Sequence, residues 1–197
     1  MKQITLLLIL LLAFAPAYAQ QQTLISGQIE HGGFGGPVVK FSSINDRFGV
    51  LVGGRGGWII NHTLVLGGAG YGLVNDVPAK VPGLLGEEYL DFGYGGFEME
   101  WIINSDKLLH FSVQTLIGAG AVNYRYQING ARFSTHLDED EVFVLEPGLT
   151  LDLNVTPWFR FSAGGSYRYV TGVQSSASSN ADLTGPSAVI MLRFGKF

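Results

Sequence analysis

The sequence contains no cysteine, which excludes disulfides, thiolate metal sites, a cysteine nucleophile and a lipid-modified cysteine anchor. Charge is sparse as well. Asp, Glu, Lys and Arg make up 14% of the chain, against about 25% in a typical soluble domain. Lys and Arg number 12 against 16 Asp and Glu, so there is no basic excess and nucleic acid is excluded as an expected partner. The four histidines (His31, His62, His110, His136) have no metal-ligand spacing. No Lys-Ser/Thr follows the glycine clusters, so they are not phosphate loops. No nucleophile elbow is present. No cofactor is expected.

Long apolar runs are also missing, with one exception at the start. Met1-Lys2 is a short basic region, Ile4 to Phe14 is almost wholly apolar, and Ala17-Tyr18-Ala19 has the small-residue spacing of a cleavage site. The pattern is that of a secretory signal over residues 1–19. An apolar stretch this short cannot cross about 30 Å of hydrocarbon as a helix. The chain is therefore expected to be exported, and any insertion into a membrane must use strands closed into a barrel. Residues 20–36 are polar and then glycine-rich, and they read as an N-terminal extension.

What the sequence has in abundance is alternation. Between Glu141 and Tyr169, Phe143, Leu145, Leu149, Leu151 and Leu153 share one side, and Val144, Glu146, Gly148, Thr150 and Asp152 share the other. After a turn at 154–157, Phe159, Phe161, Ala163, Tyr167 and Tyr169 alternate with Arg160, Ser162, Gly164, Ser166 and Arg168. A period of two on both sides of a turn predicts a long antiparallel hairpin with one apolar and one polar face. The same pattern predicts strands at Pro37 to Ile44, Phe48 to Ile60, Thr63 to Val74, Glu87 to Ile103, Leu108 to Tyr124 and Pro186 to Phe197. The count is eight strands over residues 37–197. Pro147 falls in mid-strand, where a bulge across Glu146, Pro147 and Gly148 is expected.

Such faces allow two readings. A soluble lipocalin-type barrel turns the apolar face inward to hold a ligand. A membrane barrel turns it outward. The polar face is Gly, Ser, Thr and a few charges of both signs, which suits a crowded interior better than open surface. Connections alternate too: short at 61–62, 104–107 and 154–157, and long near 76–86, 125–140 and 172–184, with 45–47 as the exception. Trp58, Trp101 and Trp158 lie near short turns. Tyr71, Tyr89, Tyr124, Tyr126, Tyr167 and Tyr169 lie near the long loops. Two aromatic rings at opposite rims are expected where a barrel crosses two membrane interfaces.

On the membrane reading the polar parity gathers Lys40, Arg55, Arg160, Arg168 and Arg193 with Glu98, Glu100, Glu146 and Asp152. Eight strands leave an interior just wide enough for side chains. Unpaired charges there are costly, so an interlocked network that plugs the lumen is expected. A narrow gated channel is the alternative use of the same groups. The acidic stretch from His136 to Glu141 reads as a solvated loop, with divalent-cation binding as its alternative.

Signal, eight alternating strands, connection lengths, aromatic placement and the terminal Phe197 together resemble the small outer-membrane β-barrels of the OmpA, OmpX and OmpW type. Phe34-Gly35-Gly36 and Tyr94-Gly95-Gly96 are similar in style to Bacteroidetes members. The resemblance implies an all-β, closed, antiparallel up-and-down transmembrane barrel in the cell outer membrane. It implies contact with outer-membrane lipid and lipopolysaccharide, and no enzymatic activity, although acyltransferases built on eight-stranded barrels exist. It also implies that the barrel-assembly machinery reads the last strand through a terminal aromatic, here Phe197. Phe194, Leu192 and Ile190 lie on the opposite parity, so that signal is imperfect. A monomer is expected, with surface partners meeting the long loops.

Overall fold

The computed structural model describes residues 29–79, 87–128, 131–174 and 178–197, with the side chains of 87, 126–128 and 131–139 outside that description. The expected signal at 1–19 and the first part of the 20–36 segment lie outside the described residues. The strands are β1 (His31–Ile44), β2 (Arg47–Ile60), β3 (Leu64–Leu73), β4 (Glu87–Ile103), β5 (Leu109–Ile128), β6 (Ala131–Thr156), β7 (Phe159–Thr171) and β8 (Gly185–Lys196). One short helix, α1 (Asn180–Leu183), precedes β8.

Each strand pairs antiparallel with the next, and β8 returns to pair with β1, closing an up-and-down barrel. Closure removes every sheet edge along the paired length. Two turns are built from residues that tolerate left-handed backbone. Asn45 and Asp46 have φ of 51° and 58°, and Asn61 and His62 have 51° and 54°. Positive φ at both central residues is what a two-residue type I′ hairpin requires, as between the paired Ile44 and Arg47, and its twist matches that of the flanking strands.

Three boundaries differ from the sequence reading. β1 begins at His31 rather than Pro37, so Gly32 to Gly36 pair across to Ile59 through Arg55 as strand, not extension. Glycine has low strand propensity, but at Gly32 and Gly36 the neighbouring β8 backbone approaches too closely for a side chain. β5 and β6 continue to Ile128 and from Ala131, so the stretch expected as a loop at 125–140 is the upper part of a long hairpin. There is also no bulge at Pro147. β6 keeps Pro147 paired with Thr115 of β5, and the β6–β7 ladder skips Glu146 and Pro147 with its register unchanged. Leaving out two rungs accommodates the missing N–H without an extra residue.

Strong curvature explains the inward glycines. Gly96 of β4 faces Gly118 of β5. A Cβ on Gly118 would overlap the Gly95 carbonyl oxygen, and a Cβ on Gly96 would overlap that of Ile117. Backbone cannot yield as a flexible side chain would. Gly118→Ala is therefore expected to destabilise the barrel by about 1–3 kcal/mol. Urea unfolding of the refolded protein, followed by tryptophan fluorescence, measures it, and an unchanged midpoint would contradict the close-approach reading.

Candidate functional site

The outer face is apolar. Leu149, Leu151, Phe111, Val113, Ile117, Phe97 and Met99 are exposed along the barrel wall. Near the turn end stand Trp58, Trp101 and Trp158, all exposed. Trp158 stacks with Phe194, which stacks with Phe159 at 5.0 Å. Trp158 shares parity with Arg160 yet points outward, because it sits in the turn before strand alternation begins at Phe159. Near the loop end, Phe41 stacks on Phe48, and Tyr167 lies 4.7 Å from Tyr169, all four exposed.

Not every aromatic belongs to these rings. Tyr124 and Tyr71 are buried on the inner face, and so contribute to the lumen rather than to the loop-end ring. Their strands place them in register with inward Leu90 and Tyr94. Tyr89 is half-buried, and the side chain of Tyr126 lies outside the described residues. Phe197 also turns inward: it is half-buried and stacks on Phe34 at 6.2 Å. The outward aromatic of the last strand is Phe194.

Inside, the nine charged residues expected to form the lumen network are all buried. They divide into two pairing groups and two arginines apart. In the first group Lys40 Nζ lies 2.8 Å from Glu146 Oε1, and Tyr94 donates to Glu146 Oε2 at 2.6 Å. Ser166 donates to Glu146 Oε1. Lys40 also sits 3.4 Å over the Tyr71 ring, a cation–π contact that replaces part of its hydration. In the second group Glu100 is the hub. Arg55 from β2 and Arg193 from β8 reach it from different walls, at 2.5 Å and 2.7 Å. Arg55 also meets Glu98 and donates from Nη1 to Gln114 Oε1 at 2.7 Å. Arg193 continues to Asp152 at 3.4 Å, and Ser112 and Thr150 donate to that carboxylate.

Arg160 and Arg168 form no ion pair with a described carboxylate. Arg160 sits 4.1 Å over the Phe197 ring at the turn-end rim. Arg168, fully buried, donates from Nε to the Leu183 carbonyl at 2.8 Å and from Nη2 to Ser42 Oγ at 3.2 Å. It also lies over Phe92. Tyr71, Tyr94, Gln114, Ser112 and Ser166 belong to this interior and were absent from the sequence-derived set. Parity could have found them: Tyr94 is four residues before Glu98 on the same face.

Both ends of the polar zone are filled. At the loop end Ile44, Leu51, Val77, Leu90, Phe92 and Leu183 are buried together. α1 is tied down there, since Asn45 N–H donates to the Asp182 carbonyl at 2.9 Å and Asn45 Nδ2 to the Pro78 carbonyl at 3.3 Å. At the turn end lie Phe34, Phe197, Ile59 and Ile102. His110 is buried, with its ring 3.8 Å from Asp152, whereas His31 and His62 are exposed at the turn end. His136 and the acidic stretch to Glu139 have side chains outside the described residues. Among the described residues no group of three His, Asp or Glu could hold a metal ion.

No family model and no curated protein matches the sequence. Solved structures do match the fold. The N-terminal β-barrel domain of Pseudomonas aeruginosa OprF superposes with a TM-score of 0.52 at 12% identity, covering 85% of this chain and 99% of that one. Neisserial surface protein A (NspA) superposes with a TM-score of 0.54 at 12% identity, covering 87% of this chain and 100% of that one. The chain thus has the closed eight-stranded architecture of small outer-membrane barrels.

Proposed function

We propose that this chain is an integral outer-membrane β-barrel with a non-conducting lumen, which serves a structural role or binds surface partners through its loop end. The observation that carries the reading is the inversion of the wall: charges inside, and an apolar band outside between two aromatic rings. The height of that band fits a bilayer. From Trp158 to Tyr169 is 11 residues along β7, about 36 Å of strand at roughly 3.3 Å per residue, or about 28 Å along an axis tilted by about 40°. No described helix is long and apolar enough to cross a membrane, and in this reading the closed strands make the crossing.

A soluble ligand-binding barrel would need a hollow apolar interior and a solvated wall. Here the interior is occupied by ion pairs and the wall by Phe, Leu and Trp. A gated channel would need a continuous polar path, whereas apolar layers cover the charges at both ends. The outer leaflet lipids, lipopolysaccharide and the barrel-assembly machinery are the partners this location entails, and the proposed unit is a monomer. We assign it no catalytic step, and among the described residues the interior presents no nucleophile beside a base in an open cleft.

Two measurements test the proposal. Cell fractionation should place the protein in the detergent-extracted outer membrane, with faster gel migration before boiling than after. Recovery in the soluble periplasm would overturn the location. In planar bilayers the refolded protein should give no discrete conductance steps, and reproducible single-channel openings would favour the channel.

A further inference from the structure

We infer that the lumen holds one small monovalent anion of halide size against Arg168, between β7, β1 and β8 beneath α1. The first observation is charge. Lys40, Arg55, Arg160, Arg168 and Arg193 stand against Glu98, Glu100, Glu146 and Asp152, which leaves one positive charge among these nine buried residues with His110 neutral. The pairing shows where it falls. Lys40, Arg55 and Arg193 each touch a carboxylate. Arg160 stacks on Phe197 at the rim. Arg168 is the fully buried cation with only neutral partners, a carbonyl and a hydroxyl.

The second observation is a pair of donors with nothing to donate to. Arg168 Nη1 is buried and has no acceptor, and neither has Ser187 Oγ. The register brings them to one place. Ser187 lies opposite Ser42 on β1 and opposite Ser166 on β7, two residues from Arg168, and all these side chains point inward. Ser42, already hydrogen-bonded to Arg168 Nη2, donates its own proton to the Pro186 carbonyl. The free donors of this corner are therefore a guanidinium N–H and a hydroxyl, a set that suits an anion and repels a cation. Burying a guanidinium without a counter-charge is expensive. A bound anion would offset that cost and satisfy both donors.

The site has a mechanical role as well. Arg168 also holds the last turn of α1 through the Leu183 carbonyl, so the anion would brace the loop-end cover on the barrel wall. The inference depends on the filled lumen and not on where the barrel resides in the cell.

The test uses the full chain refolded in detergent, in sodium bromide or in sodium gluconate of equal ionic strength. Crystals grown in bromide should give an anomalous peak in contact with Arg168 Nη1 and Ser187 Oγ. The thermal midpoint should be a few degrees higher in bromide than in gluconate. At least half of that difference should vanish in Ser187→Ala, a small change that leaves the ion pairs intact, and all of it in Arg168→Leu. A map showing water alone at Arg168 would overturn the inference. So would a bromide-dependent midpoint shift that is absent in the wild type or unchanged in Ser187→Ala. Should either variant fail to fold, the wild-type anomalous map decides alone.

Discussion

Replacing Glu100 with alanine is expected to cost about 3–5 kcal/mol of unfolding free energy, because it takes a carboxylate from each of two buried guanidinium groups. Glu100 is 1% exposed, and Arg193 is not exposed at all. Each oxygen of Glu100 serves a different arginine, Oε2 for Arg55 and Oε1 for Arg193. The arginines come from β2 and β8, so the carboxylate links distant walls of the barrel. Removing it leaves Arg55 with Glu98 alone and Arg193 with Asp152 at 3.4 Å, so each buried guanidinium loses one of its two carboxylates. Glu100→Gln keeps the shape and one acceptor, and should lose less. The exposed pair of Lys107 and Asp106, at 3.2 Å, is the control: Asp106→Ala should change stability by less than about 1 kcal/mol. Urea titration of the refolded barrel gives all three values. If Glu100→Ala costs no more than Asp106→Ala, the lumen network does not hold the walls together.

Leu149→Arg is the second large effect, and its size depends on the surroundings. Leu149 is 52% exposed and pairs with Gly165, midway along β7 between the two aromatic rings. If the wall faces lipid, arginine at that depth costs about 2–4 kcal/mol. If the wall faces water, exchanging one exposed side chain for another costs within about 0.5 kcal/mol. Folding titrations in lipid vesicles, with Leu149→Arg compared to Val155→Arg near the turn, separate the two. A loss at Leu149 equal to that at Val155 would remove the case for a membrane-spanning wall.

Much of the barrel was legible because a strand's side chains alternate without drift. The parity of Leu149 against Asp152, and of Phe161 against Arg160, carries directly into which side faces out. At a few positions parity either does not apply or was not applied. Trp158 sits in a turn, where alternation has not yet begun. Tyr124 and Tyr71 lie near the loop end by sequence, but strand parity, not height, decides whether a tyrosine points to the wall or the lumen. Phe197 follows the parity of Arg193 and so turns inward, despite closing the chain. Gly32 to Gly36 looked like part of an N-terminal extension because glycine is poor in strands by propensity. At Gly32 and Gly36 the close approach of the β8 backbone makes glycine the residue that fits. The start of β6 was hidden for another reason: polar residues beyond the apolar band lose the alternation that marks a strand. The pairing partners within the lumen could not be read at all. They depend on the stagger between strands, which brings Arg55 of β2 and Arg193 of β8 onto one carboxylate of β4.

The seam between β1 and β8 also sets a clock. Gly33 pairs with Lys196 and Ser42 with Ser187, so the first strand made must wait for the last. Contacts this far apart in sequence form slowly, since chain entropy is lost before they can repay it. Seven strands can line up as neighbouring hairpins as the chain is delivered, but β1 and β7 keep raw hydrogen-bonding edges until β8 arrives. Arg193 arrives on that same strand, so the ring of strands and the Glu100 junction are completed by one late event. A chain cut short before residue 185 would be left with two open edges and a hub missing its second arginine, a sticky intermediate rather than a smaller barrel.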